Sequence, residues 1–128
     1  MPTVNGLGVP FELALAIHSA AGYHTDGKSI YGSLAIATTN FNEGMLSSGV
    51  SRSVSFELAS RLLNNINNDM TREFGVWGKR YLWDRNYSET RLPEIPSAII
   101  ETLSHQSFPD MKIGQHPLGK FAIARSIY

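Results

Sequence analysis

Pro96-Ser-Ala-Ile-Ile-Glu-Thr-Leu103 sets a proline, two adjacent isoleucines and a single carboxylate within one short run. This spacing predicts a buried strand. Proline suits the first residue of a strand, where no ladder donor is needed. Neighbouring β-branched residues that point to opposite faces suit a strand covered on both sides. Alternation puts Ile99, Glu101 and Leu103 on one face and Ala98, Ile100 and Thr102 on the other. A bare buried carboxylate is too costly to leave unpaired. Glu101 is therefore either a structural ion-pair partner or a chemical group.

Working outward, Phe11-Glu-Leu-Ala-Leu-Ala-Ile-His18 alternates large and small residues. It predicts an interior strand ending at His18, with a helix packed close to its small side. Ile30 to Thr39 predicts a second strand, with Gly32 as a bulge or a point of close approach. Val54, Leu58, Leu62, Ile66, Met70 and Phe74 recur every fourth residue and predict a long core-packing helix. A preceding serine can cap it and Gly75 can stop it. Gly75 to Arg91 is aromatic and charged at once, with a short strand expected around Tyr81 to Trp83. Such a connection either lines a binding surface or is a loop pinned by its two tryptophans. Ser104 to Pro117 is expected to be a loop. A closing helix from Pro117 to Tyr128 should turn Leu118, Phe121, Ala122 and Ile127 inward.

Strand, strand, helix, strand, helix implies a layered α/β/α domain with a mainly parallel sheet. It occupies residues 11–128 behind an irregular lead-in, residues 1–10. Three strands covered by two helices suggest part of a larger domain, with an exposed sheet edge through which the chain could form a homo-oligomer.

Composition narrows the classes. The 42% hydrophobic and 17% charged content is that of a globular domain rather than a disordered one. Eleven basic residues balance eleven acidic ones without a basic cluster, which argues against a nucleic-acid partner. No apolar run reaches the roughly 18 residues of a membrane span, and no signal peptide is expected in residues 1–10. Cysteine is absent, which removes disulfides and thiolate metal sites but leaves the compartment open.

Ligands gather at the C-terminal ends of strands in open parallel sheets, and both His18 and Glu101 fall at such ends. Together they suit a hydrolytic metal site, with His as ligand and Glu as base, or metal-free acid–base chemistry. The alternative is a hydrogen-bonded structural histidine. His24, His105 and His116 make no compact ligand spacing with His18.

Leu15-Ala-Ile-His-Ser-Ala-Ala21 resembles the IHxNA segment of zinc-dependent N-acetylmuramoyl-L-alanine amidases of the amidase-3 type. Arg91-Leu-Pro-Glu-Ile-Pro-Ser-Ala-Ile-Ile-Glu101 resembles that family's R-x-x-x-x-P-A-V-L-V-E, with Arg, Pro and Glu at matching intervals. Ser104 to Met111 resembles the SN-x-x-D loop that follows. The run from Asn86 to Arg91 and that from Glu101 to Met111 are similar to amidase-like domains of secreted Bacteroidetes proteins labelled xanthan lyase or golvesin-like. The resemblance implies a partial copy of an amidase-3-like (phosphorylase/hydrolase-like) domain, its C-terminal half. It further implies a periplasmic or extracellular place of work and a peptidoglycan or other glycan substrate.

By the same resemblance His18 is a zinc ligand and Glu101 the catalytic carboxylate. Arg91 would orient Glu101 or stabilise oxyanion charge, and Trp77, Tyr81, Trp83 and Tyr87 would hold sugar or peptide. The family's other zinc ligands lie upstream of the matched part, and Ala20 replaces the usual Asn. The metal site is thus expected to be incomplete and the isolated chain inactive. Two alternatives accompany this expectation. One is a non-catalytic carbohydrate or cell-wall binding module. The other is a polysaccharide lyase-related protein using Tyr87, His18 and Arg91.

Overall fold

The computed structural model describes residues 12–128. The expected lead-in and Phe11 lie outside the described residues. Four strands form one sheet: β1 (Ala14–Ala20), β2 (Ser33–Ala37), β3 (Lys79–Asp84) and β4 (Ser97–Ser104), in the order β1-β4-β2-β3. β1 runs parallel to β4 and β2 parallel to β3, while β2 and β4 are antiparallel. Two of the three pairings are parallel, and the sheet is flanked by helices, as the α/β expectation requires. The strand expected at Tyr81 to Trp83 is β3, the fourth strand of the sheet.

The long helix α1 (Ser53–Phe74) lies against β2, β3 and β4. Its apolar stripe buries Ala59, Leu62, Leu63, Ile66 and Met70, each large side chain contributing about 1.5–3 kcal/mol. Ala35 and Ala37 of β2, both fully buried, let the helix approach closely. Gly75 ends it at φ +89°, with its N–H on the Thr71 carbonyl. The helix begins after Arg52, and Ser51 Oγ accepts from the Ser53 N–H. The closing helix α4 (Pro117–Ile127) packs on α1. It turns Gly119, Ala122 and Ser126 inward, whereas Leu118 and Phe121 are exposed. The expectation for those two fails because α4 sits tightly on its neighbours: a Cβ on Gly119 would come 2.0 Å from the Ile113 carbonyl oxygen.

Two further helices were not expected. Ser88–Arg91 forms α2, and Phe108–Gly114, within the presumed loop, forms α3. Ser107 caps α3 and Pro109 stands in its first turn.

Trp77 is only 4% exposed and lies in the core, its indole N–H donating to Ser33 Oγ at 2.8 Å. This corrects its assignment as a substrate residue. Gly32 meets the second strand's start as a close approach: at φ +93°, a Cβ there would fall 2.0 Å from the Gly78 carbonyl oxygen.

Two bulges break the alternation read from the sequence. Between the His18–Glu101 and Ala20–Ser104 pairs, β4 carries one residue more than β1. Leu103 consequently leaves the Glu101 face and packs against the helical layer at Gly114. The second bulge lies in β3, where the four residues from Lys79 to Leu82 match the three from Ser33 to Ala35.

Candidate active site

β1 and β4 are adjacent and in register, so His18 pairs directly with Glu101. Paired residues share a face, and this face is the one opposite α1. Leu34, opposite Glu101 on β2, and its neighbours Ile36 and Ile99 are nearly fully buried and form the floor. A cavity of about 280 Å³ opens above it, lined by His18, Ile36, Tyr87, Glu89, Ile99 and Glu101. The two residues lie in the body of their strands, since β1 runs on to Ala20 and β4 to Ser104. The site is therefore on the sheet face rather than at its rim.

Burial pushes the Glu101 carboxyl above its ordinary range, against the opposing pull of His18 and His105. No hydrogen bond reaches its carboxylate among the described residues. A carboxyl on an apolar floor, unpaired and with raised proton affinity, is suited to accept and return a proton. The structural ion-pair alternative for Glu101 finds no partner among the described residues.

His18 instead engages Glu89 of α2, with Nε2 3.2 Å from the carboxylate oxygen. Glu89 leaves no mark in the sequence, because nothing in local spacing reports that α2 packs back against β4 and β2 and so brings Glu89 to His18. Arg91, two positions on, does not reach Glu101. Its guanidinium donates to the Asn86 carbonyl at 3.1 Å and lies 5.7 Å from the Phe41 ring. Its expected contact with Glu101 is corrected by the turn of the short helix, which points Glu89 into the cavity and Arg91 away.

Of the other histidines only His105 acts on Glu101, and it does so through its charge alone. His105 shares a 2.9 Å hydrogen bond with Ser19 Oγ, His24 lies beside the Tyr31 ring, and His116 caps α4. A zinc hydrolase site needs three protein ligands and an open position. Among the described residues no three His, Cys, Asp or Glu side chains are arranged to hold a metal. The described donors do not make a zinc site.

Two buried charged groups hold the surroundings in place. Asp110 is fully buried and accepts four bonds, from the Tyr31, Gly32 and Ser104 N–H groups and from Ser107 Oγ. It ties the loop before β2 and the base of α3 to the end of β4. Arg52, 3% exposed, donates to the carbonyls of Met45, Thr90 and Arg91, fixing the C-terminal end of α2 and hence Glu89.

On β3, Tyr81 and Trp83 stack at 4.9 Å and 18°. Trp83 pairs with Ile36, so both aromatic residues share the open face with the cavity. Tyr87 lines the cavity itself and is 46% exposed. Arg80 Nε is buried without an acceptor among the described residues, an arrangement that costs about 1–3 kcal/mol.

An imidazole and a carboxylate thus stand in register on one face of an α/β sheet. Several solved structures share this fold. N-acetylmuramoyl-L-alanine amidase from Clostridium difficile 630 superposes with a TM-score of 0.66 at 16% identity, covering 91% of this chain and 53% of that one. The N-acetylmuramyl-L-alanine amidase Ami1 from Mycobacterium smegmatis gives 0.69 at 14% identity, covering 98% and 53%. The amidase AmiC2 of Nostoc punctiforme gives 0.62 at 16%, covering 91% and 53%. The chain thus has the fold of these amidases and spans about half their length. No protein-family model matches the sequence, and no curated protein matches it.

Proposed function

We propose that the chain is the C-terminal part of a cell-wall amidase that hydrolyses the amide joining a glycan lactyl group to a peptide. The observation that carries this is the direct pairing of His18 with Glu101, whose burial raises its proton affinity, in one cavity. Glu101 takes a proton from the attacking water and delivers it to the departing amine. His18, held by Glu89, stands beside it as the candidate ligand or positioning group. Tyr81, Trp83 and Tyr87 flank the path of the glycan or peptide. In the zinc-dependent form of this proposal His18 supplies one ligand, and the others come from beyond the described residues. The working compartment is periplasmic or extracellular. Self-association through the outer edge of β1, where Ile17 is 60% exposed, is a further part of the proposal, and a strict monomer by light scattering at high concentration would remove it.

The test is hydrolysis of purified peptidoglycan with and without added zinc. The chain alone should turn over little or nothing, because the described donors hold no metal. Joined to the preceding residues of its parent, it should be active, and Glu101→Gln should abolish that activity while substrate binding persists. Activity surviving Glu101→Gln would sink the assignment. A second reading, a non-catalytic carbohydrate or cell-wall binding module, is favoured by one observation, the engagement of His18 by Glu89. It predicts binding without turnover even for the extended protein.

A further inference from the structure

The bulge in β3 has a chemical result. With one extra residue between Lys79 and Leu82, Arg80 no longer alternates to the helical side. Its guanidinium lies over the Tyr31 ring at 4.2 Å and 5.7 Å from that of Tyr81. Tyr81 stacks on Trp83, and the Arg85 guanidinium lies 5.0 Å from the Trp83 ring. The open face therefore carries a ladder of cation, aromatic, aromatic and cation, about two strand spacings (roughly 10 Å) from the strand of Glu101. Neither guanidinium has a carboxylate or hydrogen-bond acceptor among the described residues, and Arg80 Nε is buried without one. Asp84, the carboxylate of the same strand, is occupied by the backbone N–H and the hydroxyl of Thr39. Stacking holds each planar fork in place, so little freedom is lost when it binds an oxyanion.

We infer that Arg80 and Arg85, set on Tyr31, Tyr81 and Trp83, form a carboxylate-binding subsite for an acidic ligand. This rests on the open face being a substrate surface, and not on which bond is cut. The face is polarised, with Glu89 and Glu101 at one end and two unpaired guanidinium groups at the other. An acidic ligand is thereby oriented with its carboxylates toward β3 and its neutral amide toward Glu101. Pairing of an added strand with the β3 edge is disfavoured, because a bulge and the charges of Lys79, Arg80, Asp84 and Arg85 interrupt that edge. Recognition falls to side chains.

The carboxylate can belong to a sugar ring or to a short peptide, and both are assayed. Trigalacturonic acid, its neutral galactose counterpart, an acidic tripeptide and its amidated form are titrated by calorimetry and by tryptophan emission. Trp83 reports the strip, since Trp77 is buried, and Trp83→Phe removes the optical signal. Binding by either acidic ligand at least about tenfold tighter than by its neutral partner, weakened by salt and lost in the Arg80→Gln/Arg85→Gln double variant, supports the subsite. Which acid binds identifies the part of the substrate. Equal binding of acidic and neutral ligands, no binding of either, or undiminished preference in the double variant overturns it. Circular dichroism checks folding, and Arg85→Gln at an exposed position serves if Arg80→Gln does not fold. An acid preference that persists in Glu101→Gln, in a protein that proves not to hydrolyse peptidoglycan, would separate failure of the amidase proposal from failure of the subsite.

Discussion

Replacing Asp110 with alanine should be among the most damaging single changes in the chain. One carboxylate oxygen accepts from the Tyr31 N–H at 2.7 Å and Ser107 Oγ at 3.0 Å, the other from the Gly32 N–H at 2.9 Å and the Ser104 N–H at 3.0 Å. Bonds to a charged group contribute about 1.5–3 kcal/mol each, so four at the low end sum to about 6 kcal/mol. Water entering the vacated space offsets part of this and leaves an expected loss of about 4 kcal/mol. Asp110→Asn keeps one oxygen. Turned either way, its amide nitrogen faces two of the four donors, for a loss of at least about 2 kcal/mol. Against a typical domain stability of about 5–15 kcal/mol, the alanine variant would be partly unfolded at the low end of that range. Urea denaturation followed by circular dichroism reads both variants against the parent. An unfolding free energy for Asp110→Ala within about 1 kcal/mol of the parent would refute the view that this carboxylate anchors β4 beside the site.

Glu101→Gln also has a stability signature. A raised carboxyl value means that the unfolded chain gives up this proton at lower pH than the folded one. The fold therefore loses stability as pH rises from the unfolded value through the folded one, and the glutamine variant should be the more stable at pH 7 and no more stable than the parent in acid. Thermal melts across pH check this. Asp26 shows the opposite sign: the Ser29 hydroxyl, then the N–H groups of Lys28 and Ser29, lower it from 3.8 to about 2. Its contribution should be complete above 3.8 and lost as pH falls through about 2, followed by carboxyl carbon shifts in NMR. Arg52→Ala leaves three carbonyls without their donor and should cost about 2–4 kcal/mol, with Glu89 released from His18 in the histidine's NMR spectrum.

Much of the fold could be read from local pattern. The run at Pro96 to Leu103 is β4 within one residue, and the four-residue repeat is α1 to its Gly75 stop. What escaped was set by tertiary contact or by count. A one-residue bulge is invisible to alternation, which puts Leu103 on the face opposite to the one it takes and leaves Arg80 unmarked. Helix α3 is short, yet Ser107 with Asp110 three residues on and a proline between them was an available start signal. Apolar size is a poor guide to the inward face of α4. There the fit requires small residues, with Ser126 bonded to Asp69. At the site, His18 and Glu101 are legible from their strand positions and from the resemblance, whereas Glu89 and Arg52 act across distances in sequence that no motif spans.

The apolar floor beneath Glu101 carries one more implication. Any occupant that seats over Leu34, Ile36 and Ile99 strips the remaining water from that carboxyl, and its affinity for a proton climbs further. Occupation then draws a hydrogen ion from solution. The heat of association will vary with the ionisation enthalpy of the buffer, so that the medium itself records when the pocket is filled.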